Sequence, residues 1–207
     1  MEDLMSTEPS IKGSALSSVV EDVRALCDSG RISADRLEAA LEESDIAILE
    51  SKIQPALWYP IQSYARLTKL LLDVAGRGDP QYVVDRGARA AQRLWESGLY
   101  VQLQHGEEKA AKARRTGGAL SERDARMITT LSGAIFNFTR WSYRAGTPGS
   151  ADAVIEVNEA TEWPDVSVWA ARGFLEYVVS RLRRVETRVE AQRVERDRVE
   201  FRLKMRS

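Results

Sequence analysis

The chain holds one cysteine, Cys27, and one histidine, His105, among 207 residues. A lone thiol closes no intramolecular disulfide, and one thiol with one imidazole cannot complete a structural zinc site from the usual nitrogen and sulfur donors. Neither sign of charge is in excess: 30 basic side chains face 31 acidic ones, for a net charge of -1. With an isoelectric point near 6.0, the chain lacks the strongly positive stripe of a nucleic-acid binder. Lys109, Lys112, Arg114 and Arg115 do cluster, but Glu107 and Glu108 precede them, and they read as a solvated face. No apolar run approaches the roughly 18 residues that span a bilayer, and Met1-Glu2-Asp3-Leu4 is acidic where a secretory leader is basic. A cytoplasmic protein with no transmembrane segment is expected.

Catalytic signatures are equally scarce. Gly76-Arg77-Gly78 lacks the rest of a dinucleotide or Walker loop, and no Ser-x-x-Lys or Gly-x-Ser-x-Gly setting occurs. Acidic pairs such as Glu42-Glu43 are neighbours around a helix and are not opposed across a cleft. No catalytic residue, metal site or cofactor is expected, and the protein is not read as an enzyme.

What is present is helical periodicity with a change of period at the end. Residues 1–14 read as a flexible tail, and 15–207 as a single α+β domain whose 15–50 part is helical. Leu16, Val19, Val20, Val23 and Leu26 recur at helix spacing until Asp28-Ser29-Gly30 stops them. Ser33 is an N-cap for a second helix. Ile46-Ala47-Ile48-Leu49 fits a helix end or a short strand. Ile61, Tyr64, Leu67, Leu70, Leu71 and Val74 form a continuous stripe, with Pro60 tolerated in the first turn. Asp79-Pro80 starts another helix. Ser121 and Asp124 resemble a capping box, and Met127 to Phe138 extend that helix toward Trp141. Val154 to Val157 is a strand by propensity, and Trp163-Pro164-Asp165 introduces a further helix.

The last segment decides the fold class. Val199, Phe201, Leu203 and Met205 alternate with Glu200, Arg202, Lys204 and Arg206, and Val185 to Ala191 alternate in the same way. A continued charged helix is the other reading, but it stacks Glu186 on Glu190 and leaves the valines a thin stripe. The alternation favours a β-hairpin turning near Glu195-Arg196-Asp197. The fold is therefore α+β, with a mostly helical layer packed on a small antiparallel sheet that includes the C-terminal β-hairpin. Charge also separates along the chain. Residues 1–50 carry 12 acidic against 4 basic side chains, a net of -8, and residues 181–207 carry 10 basic against 5 acidic, a net of +5. The two ends attract one another within the fold or between subunits.

Lys12-Gly13-Ser14-Ala15-Leu16, Trp58-Tyr59-Pro60 with Tyr64 and Leu67, Gly78-Asp79 ahead of a helix containing Gly87, and Gly173-Phe174-Leu175-Glu176 before two strands form an ordered set. Over about residues 12 to 206 this set resembles a bacterial paralogous family of uncharacterised proteins. That family is similar in turn to the superfamily of heme–nitric oxide binding domains, vinyl-reductase-type sensors and TRAPP vesicle-tethering subunits. The resemblance implies a helical layer on an antiparallel sheet, frequent dimerisation, and an apolar pocket for a ligand or partner. It brings no catalytic residues. Residues 185 to 206 lack the cysteines of vinyl-reductase-type relatives, and Trp141-Ser142-Tyr143-Arg144 does not match the Tyr-x-Ser-x-Arg clamp of heme-binding ones.

The remaining candidates follow. His105 precedes a polar segment and reads as a surface or capping histidine rather than an axial ligand. Cys27 reads as a small buried hydrophobe. The aromatic residues sit on apolar helix sides and serve the core first. A candidate pocket lies between the helix at 60 to 75 and that at 121 to 142, formed by Trp58, Tyr64 and Phe136 with Arg66, Arg140 and Tyr143 as orienting groups. Its ligand would be an apolar small molecule, acyl or aromatic. Val199, Phe201 and Leu203 are the candidate dimer strand, pairing with a second copy across an open edge. The expected function is a non-catalytic regulatory or scaffold protein acting through self-association as a homodimer and through an interface with a protein partner of unspecified identity. The alternative is a small-molecule sensing module that relays pocket occupancy to a partner.

Overall fold

The computed structural model describes residues 8–96, 120–146 and 153–205. Its helices are α1 (Gly13–Asp28), α2 (Ala34–Ala40), α3 (Glu43–Glu50), α4 (Ile61–Val74), α5 (Gln81–Glu96), α6 (Glu122–Gly133) and α7 (Asp165–Arg183). Its strands are β1 (Ser10–Lys12), β2 (Trp58–Pro60), β3 (Arg140–Ala145), β4 (Ala153–Asn158), β5 (Thr187–Glu195) and β6 (Arg198–Met205). The fold is α+β, as expected.

The C-terminal alternation is a hairpin. β5 and β6 pair antiparallel, β6 pairs on its other side with β4, and the sheet runs β3-β4-β6-β5. One face buries Ile155, Val157, Val189, Val199, Phe201 and Leu203, each 0% exposed. Against it lie Leu175, Val178, Val179 and Leu182 of α7. Period two places the charges on the other face, where Glu156 stands directly opposite Glu200. That like-charge pair is tolerated because Arg144 reaches both carboxylates, at 2.7 and 3.8 Å, and Arg202 adds a contact to Glu200.

Three expectations are corrected. Val199, Phe201 and Leu203 are not an edge. β6 is an interior strand with neighbours on both sides, so its backbone is already paired and its apolar side chains are the core of the sheet. The outer strand of the hairpin is β5, and α7 blunts its start: the Val189 N–H donates to Glu176 Oε2 at 3.1 Å and the Thr187 N–H to Ser180 Oγ at 2.9 Å. Second, the segment expected to be a flexible tail contains a strand. Ser10–Lys12 pairs with Trp58–Pro60, and Ile11 is 1% exposed. Three residues are too few to show a period. Third, the helix expected to run toward Trp141 stops at Gly133, and Arg140–Ala145 is a strand. Trp141 and Tyr143 alternate with Arg140, Ser142 and Arg144, and that short period-two stretch abuts a helical stripe.

Ile46 to Leu49 belongs to α3, whose first turn closes a capping box between Glu42 and Asp45. No helix among the described residues is long and apolar enough to cross a membrane.

Candidate ligand-binding cavity

α5 and α7 cross with their backbones in contact. A Cβ on Gly87 would lie 1.9 Å from the Ala170 carbonyl oxygen, and one on Gly173 would lie 1.8 Å from that of Val84. This approach needs small residues at the crossing. Ala90 and Ala171 continue the series along the two helices, and Ala15 and Ser18 do the same on α1. Where small side chains face one another away from the crossing, space is left. It forms a cavity of about 290 Å³ bounded by α1, α4, α5 and α7, with Ile11, Ile135, Phe136 and Trp141 completing the wall.

The cavity has aromatic walls and several hydroxyl-bearing residues in its lining. Tyr64, Phe136, Trp141 and Phe174 supply the rings. Trp141 stacks on Phe201 of the sheet at 6.0 Å and 7° and meets Trp163 edge-on at 5.5 Å, so the wall is continuous with the sheet's core. Burial pushes the Tyr64 phenol up to about 12, tempered by the Thr68 hydroxyl beside it. Among the described residues, Thr68 Oγ1 and Ser167 Oγ are buried with no hydrogen bond of good geometry. Both residues line the cavity.

Arg86 bridges α5 to α1, donating to the Asp22 carboxylate and, at 3.3 Å, to the Ser18 carbonyl. Burial, reinforced by Arg89 and Arg93, lowers its guanidinium to about 10, so it stays charged at neutral pH.

Of the six residues expected to form a pocket, Tyr64 and Phe136 line this one and four do not. Trp58 is 38% exposed, with the Lys12 ammonium 3.9 Å from its ring centroid. Arg66 holds the fully buried Asp45 carboxylate, Nε to Oδ2 at 2.5 Å and Nη2 to Oδ1 at 3.0 Å, and reaches Glu42 at 2.9 Å. Arg140 is exposed and paired with Glu159 at 2.8 Å. Tyr143 donates to the Leu120 carbonyl at 3.5 Å. Arg140 and Tyr143 fall to the pocket only on a helical reading of a segment that is a strand. Thr68, Ser167 and Arg86 escape sequence reasoning, since a lone polar residue on a helix looks solvated there. His105 lies outside the described residues, as does the 106–118 segment. Cys27 is half-buried on α1, and burial followed by the charge of Asp28 pushes its thiol up, as suits an inert packing residue.

A wider groove of about 720 Å³ runs between α5 and the C-terminal end of α7. It is open to solvent and lined by Asp85, Glu176, Arg181 and other charged residues. Lacking an aromatic enclosure, it is the weaker candidate for a small-molecule site.

Comparison with known proteins places this geometry. No protein-family model matches the chain, and no curated protein does. Solved structures do match, and over nearly the whole length. The Fe(II) unliganded H-NOX protein from K. algicida superposes with a TM-score of 0.60 at 11% identity, covering 95% of this chain and 97% of that one. A point mutant of the T. Tengcongensis H-NOX gives 0.53 at 12%, covering 95% and 98%. An oxygen-binding H-NOX domain related to soluble guanylate cyclases, in its oxygen complex, gives 0.52 at 13%, covering 95% and 96%. The class defined is an α+β fold of helices against a four-stranded antiparallel sheet. More particularly, the fold is H-NOX-like.

The described lining of this cavity does not present the usual donors to an iron porphyrin. Among its described lining residues there is no His, Cys or Met, and burial of the Tyr64 phenol, the remaining axial type, works further against the phenolate that would bind iron. Arg86, a cation suited to a propionate, is already engaged by Asp22.

Proposed function

We propose that this protein is a non-catalytic small-molecule sensing module whose ligand occupies the cavity between α1, α4, α5 and α7 and whose occupancy is relayed to a protein partner. The observation that carries this reading is the cavity itself: aromatic walls, two unsatisfied buried hydroxyls, and one wall shared with the core of the sheet. Apolar cavities with a few placed polar groups are the usual form of a small-molecule site. Because Trp141 belongs both to the wall and to the ring cluster around Phe201, a ligand that favours one arrangement of that cluster shifts its population. One H-NOX neighbour is described as oxygen binding, which supports a small-molecule-binding role in kind. It does not supply this cavity with iron donors.

Sensing takes precedence over the scaffold reading, whose proposed dimer strand is interior. The kinship with the bacterial paralogous family is part of the same proposal. It is supported by Gly13 and Gly173 of the matching motifs, where a Cβ would meet the Gln54 and Val84 carbonyl oxygens at 2.1 and 1.8 Å. Native mass spectrometry of the full chain, purified without denaturant, tests the function. A bound small-molecule mass that is released on denaturation is expected. An apo mass alone, with a melting temperature insensitive to added ligands, contradicts it.

A further inference from the structure

Two hydroxyls of the cavity lining, Thr68 Oγ1 and Ser167 Oγ, are buried without a hydrogen bond of good geometry. Thr68 is one turn before Leu72 on α4, and Ser167 follows Val166 on α7. Leu72, Val166 and Val83 pack together as a separate apolar cluster. Thr68, Ser167 and Tyr64, which is one turn before Thr68, all line the cavity. The rest of the lining is mostly aliphatic, small or aromatic, with further hydroxyls from Ser14, Ser17, Ser18 and Ser132 and with Arg86, Glu21 and Arg93. Buried polar groups in folded proteins are almost always satisfied, and each exception calls for a reason.

From this we infer that the cavity selects a compact, uncharged molecule with an apolar body and one hydroxyl or carbonyl oxygen, which Thr68 and Ser167 recognise. The inference rests on the sensing reading above and adds the chemical class of the ligand. Hydroxyls both donate and accept, so they match an alcohol or a carbonyl equally. A charged head group is disfavoured by what surrounds it. The inner groups are neutral, the guanidinium of Arg86 is engaged by Asp22, and Glu21 and Arg93 are exposed at the rim. A desolvated ion would have no free counter-charge there. Size sets the other limit. About 290 Å³ is at the small end of ligand sites. At the ~30 Å³ a water occupies in the liquid, it holds on the order of ten non-hydrogen atoms.

The test uses the full chain and three probes of one shape: benzyl alcohol, ethylbenzene and benzoate. Kd values are measured by tryptophan fluorescence and thermal shift for the wild type and for Thr68→Val, Ser167→Ala and the double variant. Near-UV circular dichroism checks that each is folded, and either single variant suffices if the double one is not. Comparing the ratio of ethylbenzene to benzyl alcohol Kd between variant and wild type cancels the intrinsic hydrophobicity of the two probes. The double variant is expected to lower that ratio about tenfold relative to the wild type, the effect of losing one or two neutral hydrogen bonds. Benzoate is expected to bind more weakly than benzyl alcohol. An unchanged ratio, or tighter binding of benzoate, overturns the inferred selectivity while leaving the cavity reading intact. Failure of ethylbenzene and benzyl alcohol alike to bind overturns both.

Discussion

Gly87 on α5 meets the carbonyl of Ala170 on α7 so closely that a Cβ would stand 1.9 Å from the oxygen. The obstacle is backbone within a helix and cannot rotate away. Gly87→Ala must therefore push the two helices apart. Overpacking of this kind costs typically 1–3 kcal/mol, and about 3 kcal/mol is expected here. For a chain of this length that lowers Tm by roughly 6–12 °C. Differential scanning calorimetry checks it, and a change below about 1 kcal/mol would contradict the close crossing.

Asp45 is 0% exposed and depends on Arg66. Burial works against its ionised form, but hydrogen bonds from Arg66 and the Glu42 backbone outweigh it and hold the carboxyl below its ordinary value. Arg66→Met leaves a buried carboxylate without its cation. The expected cost is about 3 kcal/mol, at the low end for a broken buried pair, because the Arg66 side chain is 28% exposed.

Acid sensitivity follows from the same pair. The folded pKa of Asp45 lies below the unfolded value of about 3.9, so its contribution is present at neutral pH and is lost as pH falls through the folded value. Arg66→Met raises the folded value. Acid unfolding followed by circular dichroism should begin at higher pH in the variant, and an unchanged acid midpoint would count against the pairing.

Much of this fold was legible in the sequence. Val199, Phe201 and Leu203 alternate with charges over enough residues to reveal a strand, and the α4 stripe from Ile61 to Val74 is equally plain. Ser33 and Ser121 cap α2 and α6, their hydroxyls accepting from Arg36 and Asp124. β1 was too short to register, and β3 was obscured because Phe138 and Trp141 continue an apolar run from α6. Strand order was not legible, since a period of two says which side is buried but not which neighbours a strand has. The cavity was hidden for a related reason. It arises where alanines and glycines of α1, α5 and α7 face one another, and absent volume leaves no pattern along the chain. Arg66 and Arg140 looked like orienting groups because Asp45 and Glu159, which engage them, lie 21 and 19 positions away.

The interior position of β6 makes a separate claim on stability. Phe201 is 0% exposed and in ring contact with Trp141 and Trp163 at 6.0 Å each. Phe201→Ala is expected to cost about 3–5 kcal/mol in urea unfolding. A loss below about 1 kcal/mol would put this side chain outside the core.

The central claim is that the space between α1, α4, α5 and α7 takes a small molecule. Thermal unfolding of the wild type against Ala171→Leu, which fills that space, tests it most directly as benzyl alcohol is raised to saturation. Ligand bound only to the folded state stabilises it by about 2.7 kcal/mol at a hundred times Kd. The wild-type Tm should therefore rise steadily with ligand concentration, while that of Ala171→Leu stays flat. Equal shifts in both proteins, or none in either, would contradict the account.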